Sequence, residues 1–172
     1  FTVGENCDLS NGIHIGGAHT DFPAIKVKPN PEIFSHGYMQ LNTELYGGPI
    51  LSTFFDRSLS LAGKVVIRGE CYDKPVSHLV DFKAPVLYLP NLAIHMNREV
   101  NEKGAPIDNQ KHLLPLLGMV DEVLNKDTKF VDLLADKLGV DANDILDYDL
   151  CIYNLDEPKL VGIKEEFISA PR

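Results

Sequence analysis

The sequence predicts a mixed α/β assembly containing a β-rich inserted module that carries its helices late. Three observations lead there. Strand-like runs dominate the middle of the chain. The one strong helical pattern comes after residue 127. No regular alternation of strand and helix is visible, which argues against a simple parallel sheet with crossover helices.

The elements follow in order. Residues 1–28 read as strand, polar turn ("ENCDLSNG"), strand and loop. The apolar stretch "GIHIGG" is expected to run as a strand into "AHTDFP". "KVKPNP" (26–31) carries two prolines, which lock φ and lack a donor, so regular structure should break there. A Gly-Gly-Pro turn follows at 47–49, and "GKVVIRGE" (63–70) is a β-branched strand bounded by glycines. "VDFKAPVLYLPNLAIHMN" (80–97) reads as two short strand-like pieces cut by Pro85 and Pro90. "REVNEKGAPIDNQKH" (98–112) is a polar loop, longer than most, and long loops often carry function. "TKFVDLLADKLGV" (128–140) is a helix. Thr128 can cap it, Phe130, Val131, Leu133, Leu134 and Leu138 form its apolar face, and Gly139 can close it. "DANDIL" (141–146) reads as a second short helix capped by Asp141, and "DYDLCIYNL" (147–155) alternates as a strand.

Composition narrows the function classes. Apolar residues make up 44% and charged residues 24%, as in ordinary globular domains. The net charge of −9 argues against nucleic acid, whose binding needs basic patches, and against anionic membrane surfaces. No apolar run reaches the roughly 18 residues of a membrane span. Cys7, Cys71 and Cys151 lie far apart, without metal-ligand spacing, and read as reduced thiols of a cytoplasmic protein. The chain starts at Phe1 without a targeting signal and reads as a piece lacking both natural ends.

Few residues could carry chemistry. His19 and Asp21 stand two apart in "GGAHTDFP". On a strand they would share a face, so an imidazole could bind a metal while the carboxylate orients it. One histidine cannot complete such a site. His14 reads as a core or interface residue, His36 and His78 as surface residues, and His112 as a packed or capping one. His95, in "NLAIHMN", interrupts an apolar segment just before the long loop. Asp56 and Arg57 read as an ion-pair or turn-capping element, and Glu165–Glu166 as a solvated pair. No nucleophile elbow, P-loop or dinucleotide fingerprint is present.

Taken together, several segments resemble the aspartyl aminopeptidase and vacuolar aminopeptidase I family of zinc metallopeptidases. They are "GAHTDFPAIKVKPNP" (17–31), "YGGPILSTFFDRSLSLAGKVVI" (46–67) and "DFKAPVLYLPNLAIHMNREVNEKG" (81–104). "LLADKLGVDANDILDYDLCIYNLDEP" (133–158) and "VGIKEEFISAPR" (161–172) continue the series in family order. The resemblance implies a fragment of a zinc-peptidase catalytic domain interrupted by a dimerisation domain. Residues 1–25 would be catalytic-domain strands, 26–160 the inserted dimerisation domain, and 161–172 the return. It makes His19 the first zinc ligand, Asp21 its orienter, and His95 a histidine reaching into the partner subunit's active site. It implies two Zn2+ per subunit, peptide substrates cut at N-terminal residues, acidic ones among them, homodimers, and dodecamers of dimers.

The chain also departs from the family pattern. Phe22 stands where the family has Ser, and Phe54–Phe55 where it has Trp before Asp-Arg. Beyond "APR" the family supplies a metal-bridging aspartate and further ligands, so these residues alone are expected to be inactive. Glu165–Glu166 does not match the family's catalytic Glu pair. Two other readings stay open: a dimerisation module only, and a related His-x-Asp peptidase of the glutamyl or deblocking type.

Overall fold

Two alternating runs on either side of the His36–Gly37 corner fold residues 24–46 into a hairpin. The structure is a computed structural model that describes residues 10, 12, 15–71, 73–121 and 124–170. Cys7, His14 and most of the strands expected before residue 15 lie outside them. The described strands are β1 (Ala24–Ser35), β2 (Tyr38–Tyr46), β3 (Leu59–Ile67), β4 (Val76–Asp81), β5 (Leu116–Met119), β6 (Ile145–Asn154), β7 (Lys159–Val161) and β8 (Phe167–Ser169). The helices are α1 (Val100–Lys103) and α2 (Phe130–Leu138). The architecture is therefore mostly β, with few and short helices: the β-rich module is as expected, while the wider α/β class is not seen among the described residues. The late helical signal spans less than three turns once folded.

Six strands form one antiparallel sheet in the order β4-β3-β6-β1-β2-β5. The sheet curls. Leu87 bridges to Leu59 at the start of β3, and the next residue, Tyr88, bridges to Leu116 of β5. The result is a half-barrel pinned at one end. Its inner face is apolar because inward positions alternate along each strand. Ile25, Ile152 and Leu61 face one another across β1, β6 and β3, each almost wholly buried. Burying a side chain of this kind stabilises by about 1.5–3 kcal/mol. Phe54, Leu59, Leu87, Leu89 and Leu113 extend the core, and Phe130 and Leu134 of α2 cover it. β7 and β8 form a separate exposed hairpin.

Three local expectations change. The prolines at 29 and 31 do not end a strand: β1 runs through them, and the register slips between Val27 and Glu32. A bulge tolerates proline because its residues leave the ladder. Thr128 does not cap α2; its hydroxyl accepts the Asn125 N–H. Instead Asp132 accepts the Lys129 N–H, and the Glu32 carboxylate accepts the Phe130 N–H at 2.6 Å from across the fold. Residues 141–146 form only a 3-10 turn, Ala142–Asp144, capped by Asp141 as expected, because β6 already begins at Ile145.

The bulge is held from β6. The Tyr148 hydroxyl donates to the Lys28 and Pro29 carbonyls at 2.9 and 3.3 Å. Its ring meets Phe130 edge-on at 5.7 Å. Burial, then the Glu32 and Asp147 carboxylates, push the Tyr148 phenol up to about 12. Tyr148→Phe should cost about 1 kcal/mol in urea unfolding by orphaning those carbonyls. An unfolded tyrosine ionises near pH 10. Between pH 10 and 12 the folded state alone keeps this proton, so stability should fall as pH rises through that window. Unfolding at about pH 9 and about pH 11 should show a smaller alkaline loss in the variant than in the wild type.

Candidate functional site

His19 and Asp21 do meet, but across a loop. Residues 15–23 carry no regular structure, because no described strand pairs with them and the ladder begins at Ala24 opposite Tyr46. His19 Nδ1 lies 3.2 Å from Asp21 Oδ1 and 3.0 Å from the Asp21 carbonyl oxygen. Both neighbours are acceptors, so in the neutral ring they favour a proton on Nδ1, which leaves the Nε2 lone pair for a ligand. That is the tautomer a metal-binding imidazole needs. The pair is exposed, 79% for His19 and 62% for Asp21, so it adds little to stability. What it supplies is orientation.

Tyr46 completes this corner. Its hydroxyl donates to Asp21 Oδ2 at 3.1 Å. Sequence reasoning missed it, although its register opposite Ala24 puts it beside the loop. The chain can turn there because Gly47 takes φ +72° and lets Pro23 pack close: a Cβ at Gly47 would stand 3.2 Å from the Pro23 Cβ. Alanine there would be both strained and crowded.

His95 is elsewhere in the architecture. It sits on an exposed turn closed by Met96 N–H to Ala93 and Asn97 N–H to Ile94. Among the described residues no hydrogen bond joins it to His19 or Asp21. Its neighbours Leu92, Ile94 and Met96 are exposed as well. Just before it, Asp56 accepts the Tyr88 hydroxyl, the Asn91 N–H and the Asn91 side-chain amide. Arg57 points to Asp156 at 3.0 Å, so the adjacent charges do not pair with each other.

The remaining candidates have structural roles. His36 and His78 are exposed, as expected, and His112 Nδ1 accepts the Asp108 N–H. Cys71 and Cys151 are free thiols, and burial pushes the Cys151 thiol up, which disfavours the nucleophilic thiolate. Glu166 accepts the Lys164 N–H within the exposed β7–β8 turn. Phe54 is buried in the core, while Phe22 is exposed. A polar cavity of 510 Å³ beside that hairpin is lined by Arg57, Asp156 and Lys159, and by none of His19, Asp21 or His95. Among the described residues no three His, Cys, Asp or Glu side chains cluster as a metal site.

Comparison with known proteins extends this picture. The family model for Aminopeptidase I zinc metalloprotease (M18) matches residues 1–172. The probable M18 family aminopeptidase 2 of Clostridium acetobutylicum is 46% identical over 173 residues, covering 100% of this chain and 40% of that protein. This chain thus spans about 40% of the length of the curated relatives it matches. A chain in the cryo-EM structure of the Ape4 and Nbr1 complex superposes with a TM-score of 0.78 and 31% identity, over 87% of this chain and 31% of that one. The S. cerevisiae mApe1 dodecamer superposes with a TM-score of 0.63 and 21% identity, over 87% of this chain and 33% of that one, a likeness of fold.

The His19 tautomer is directly measurable. Nitrogen-15 NMR of the neutral ring should show Nδ1 protonated, and Asp21→Ala should move the equilibrium toward Nε2–H; an unchanged tautomer ratio would remove the orienting role of the Asp21 carboxylate and leave it to the backbone carbonyl of residue 21. With the whole length matched by one family model and the half-barrel shared with its solved members, the chain belongs to the Aminopeptidase I zinc metalloprotease (M18) family.

Proposed function

We propose that this chain is the insert-bearing part of a dinuclear zinc aminopeptidase that removes N-terminal residues, acidic ones among them, from peptides. One observation carries the reading: the imidazole Nδ1 of His19 lies 3.2 Å from the carboxylate of Asp21, an arrangement that suits metal binding through Nε2, in a chain 46% identical to a probable aminopeptidase. His19 would offer Nε2 to one metal, with Asp21 and Tyr46 fixing the ring. A catalytic zinc takes about three protein ligands. The described residues supply one, so on their own they do not fit a zinc centre. The other ligands would come from the part of the relatives that this chain does not span.

The division into 1–25, 26–160 and 161–172 is part of the same proposal. In its support, the six-stranded sheet uses residues between Ala24 and Asn154, and β7–β8 stays outside it. Residues 26–160 would form the dimer contact, with dodecamers assembled from dimers as mApe1 is a dodecamer. His95 would act across that contact, holding substrate or steadying the tetrahedral intermediate in the partner subunit. Its exposed, apolar-flanked turn suits insertion into a neighbour. The free Cys71 and Cys151 suit a cytoplasmic location.

The small donor set favours a second reading, in which these residues serve only as a dimerisation module. Three measurements test them, the first two the peptidase reading and the third the dimer contact that both share. A full-length zinc-loaded enzyme should cleave aminoacyl substrates and lose activity to a chelator; no chelator-sensitive cleavage would end the peptidase reading. His95→Ala should lower turnover by about 100-fold, as loss of an oxyanion donor does, with metal content intact. Sedimentation of the 172-residue chain should show dimers, and monomer alone at high concentration would remove the dimerisation role.

A further inference from the structure

We infer that Asp56 is a positioning residue for His95: its carboxylate clamps Asn91 and thereby sets the direction in which the His95 turn leaves the half-barrel. This rests on the reading of His95 given above.

The geometry is convergent. Asp56 Oδ1 accepts the Tyr88 hydroxyl and the Asn91 backbone N–H, both at 3.0 Å, and Oδ2 accepts the Asn91 side-chain amide at 2.9 Å. The Asp56 N–H donates to the Leu89 carbonyl at 2.9 Å. Four bonds from one residue thus bracket Pro90, the last rigid point before the turn. Asp56 makes them from a left-handed conformation, φ +55°. Aspartate is among the few residues other than glycine that visit this region, and such outliers persist only where their surroundings enforce them.

Beyond Asn91 the anchoring stops. Among the described residues, the hydrogen bonds of 92–97 run only within the segment or on to Val100. Leu92, Ile94 and Met96 are exposed and give the turn no core of its own. The orientation of His95 is therefore inherited from Asn91, and that of Asn91 from Asp56. The Asp56 carboxyl lies below the usual carboxylate range, chiefly because the Asn91 N–H donates to it. The clamp is accordingly charged and closed at neutral pH.

The test pairs kinetics with amide exchange in the full-length zinc enzyme. Asp56→Ala should lower kcat at least tenfold, with KM within about twofold and metal content unchanged. Asp56→Asn keeps the left-handed preference and one acceptor, and should restore most of kcat. Exchange of the Met96 and Asn97 amides should rise about tenfold in Asp56→Ala, while Leu61 and Ile152 stay protected. In a His95→Ala background, Asp56→Ala should add no further loss, because both act through one group. If His95→Ala is impaired while Asp56→Ala is not, or if their losses add, this inference is overturned and the role of His95 stands. If His95→Ala keeps full activity, that role falls and takes the inference with it. Should Asp56→Ala not fold, Asn91→Ala, which removes the side-chain amide from Asp56 Oδ2, replaces it, and unchanged kcat and exchange there overturn the proposal.

Discussion

Two adjacent backbone pairings, Leu87 with Leu59 and Tyr88 with Leu116, hold the curl of the sheet. Antiparallel sheets twist but do not close unaided. Here the chain leaving β4 runs on beside β3, with Phe82 and Val86 also donating to β3 carbonyls, and then steps across to β5. That step brings Leu87 and Leu89 under the sheet with Leu113 and Pro115. It also fixes where the next residues go. The exposed turn bearing His95 begins just after the closure, so the element that completes the core also aims the candidate functional arm.

The two histidines of interest are held in similar ways at separate places. His19 is oriented by Asp21, which is bonded to Tyr46. The His95 turn follows Asn91, held by Asp56, which is bonded to Tyr88. Both carboxylates are exposed, where such contacts contribute little to stability. Their value is geometric: each restricts a loop side chain that would otherwise sample many directions. The chain belongs to the Aminopeptidase I zinc metalloprotease (M18) family and spans about 40% of the length of its curated relatives.

Much of this was legible in sequence, and the misses share a cause. The strand read at 63–70 followed from a β-branched run bounded by glycines, the one at 147–155 from alternation, and α2 from its apolar spacing; β3 and β6 overlap the two strands. The Asp141 cap was local and readable. What failed depended on distant partners. Pro29 and Pro31 looked like strand breakers, but Tyr148, far along the chain, satisfies the bulge they create. Thr128 looked like the cap of α2, but Glu32 reaches its first turn from β1. His19 was expected at a strand end, yet its surroundings are a loop tied by Tyr46 and Gly47. A short chemical motif was visible as residue types, while its supports were visible only as register.

The strand order carries a consequence for how the molecule forms. β1–β2 and β3–β4 are hairpins of neighbouring sequence, and each can close early over a short loop. β6 must then slide between β3 and β1, pairing on both sides, although it is the last strand of the sheet to be made. Until it arrives, two open edges wait for a partner, and such edges recruit other chains readily. Loop-closure entropy makes so distant an insertion slow. On the ribosome the interval is the time needed to synthesise the 77 residues between the end of β3 at Ile67 and the start of β6 at Ile145. Across that interval the β3 edge is guarded only by what the nascent chain can lay against it.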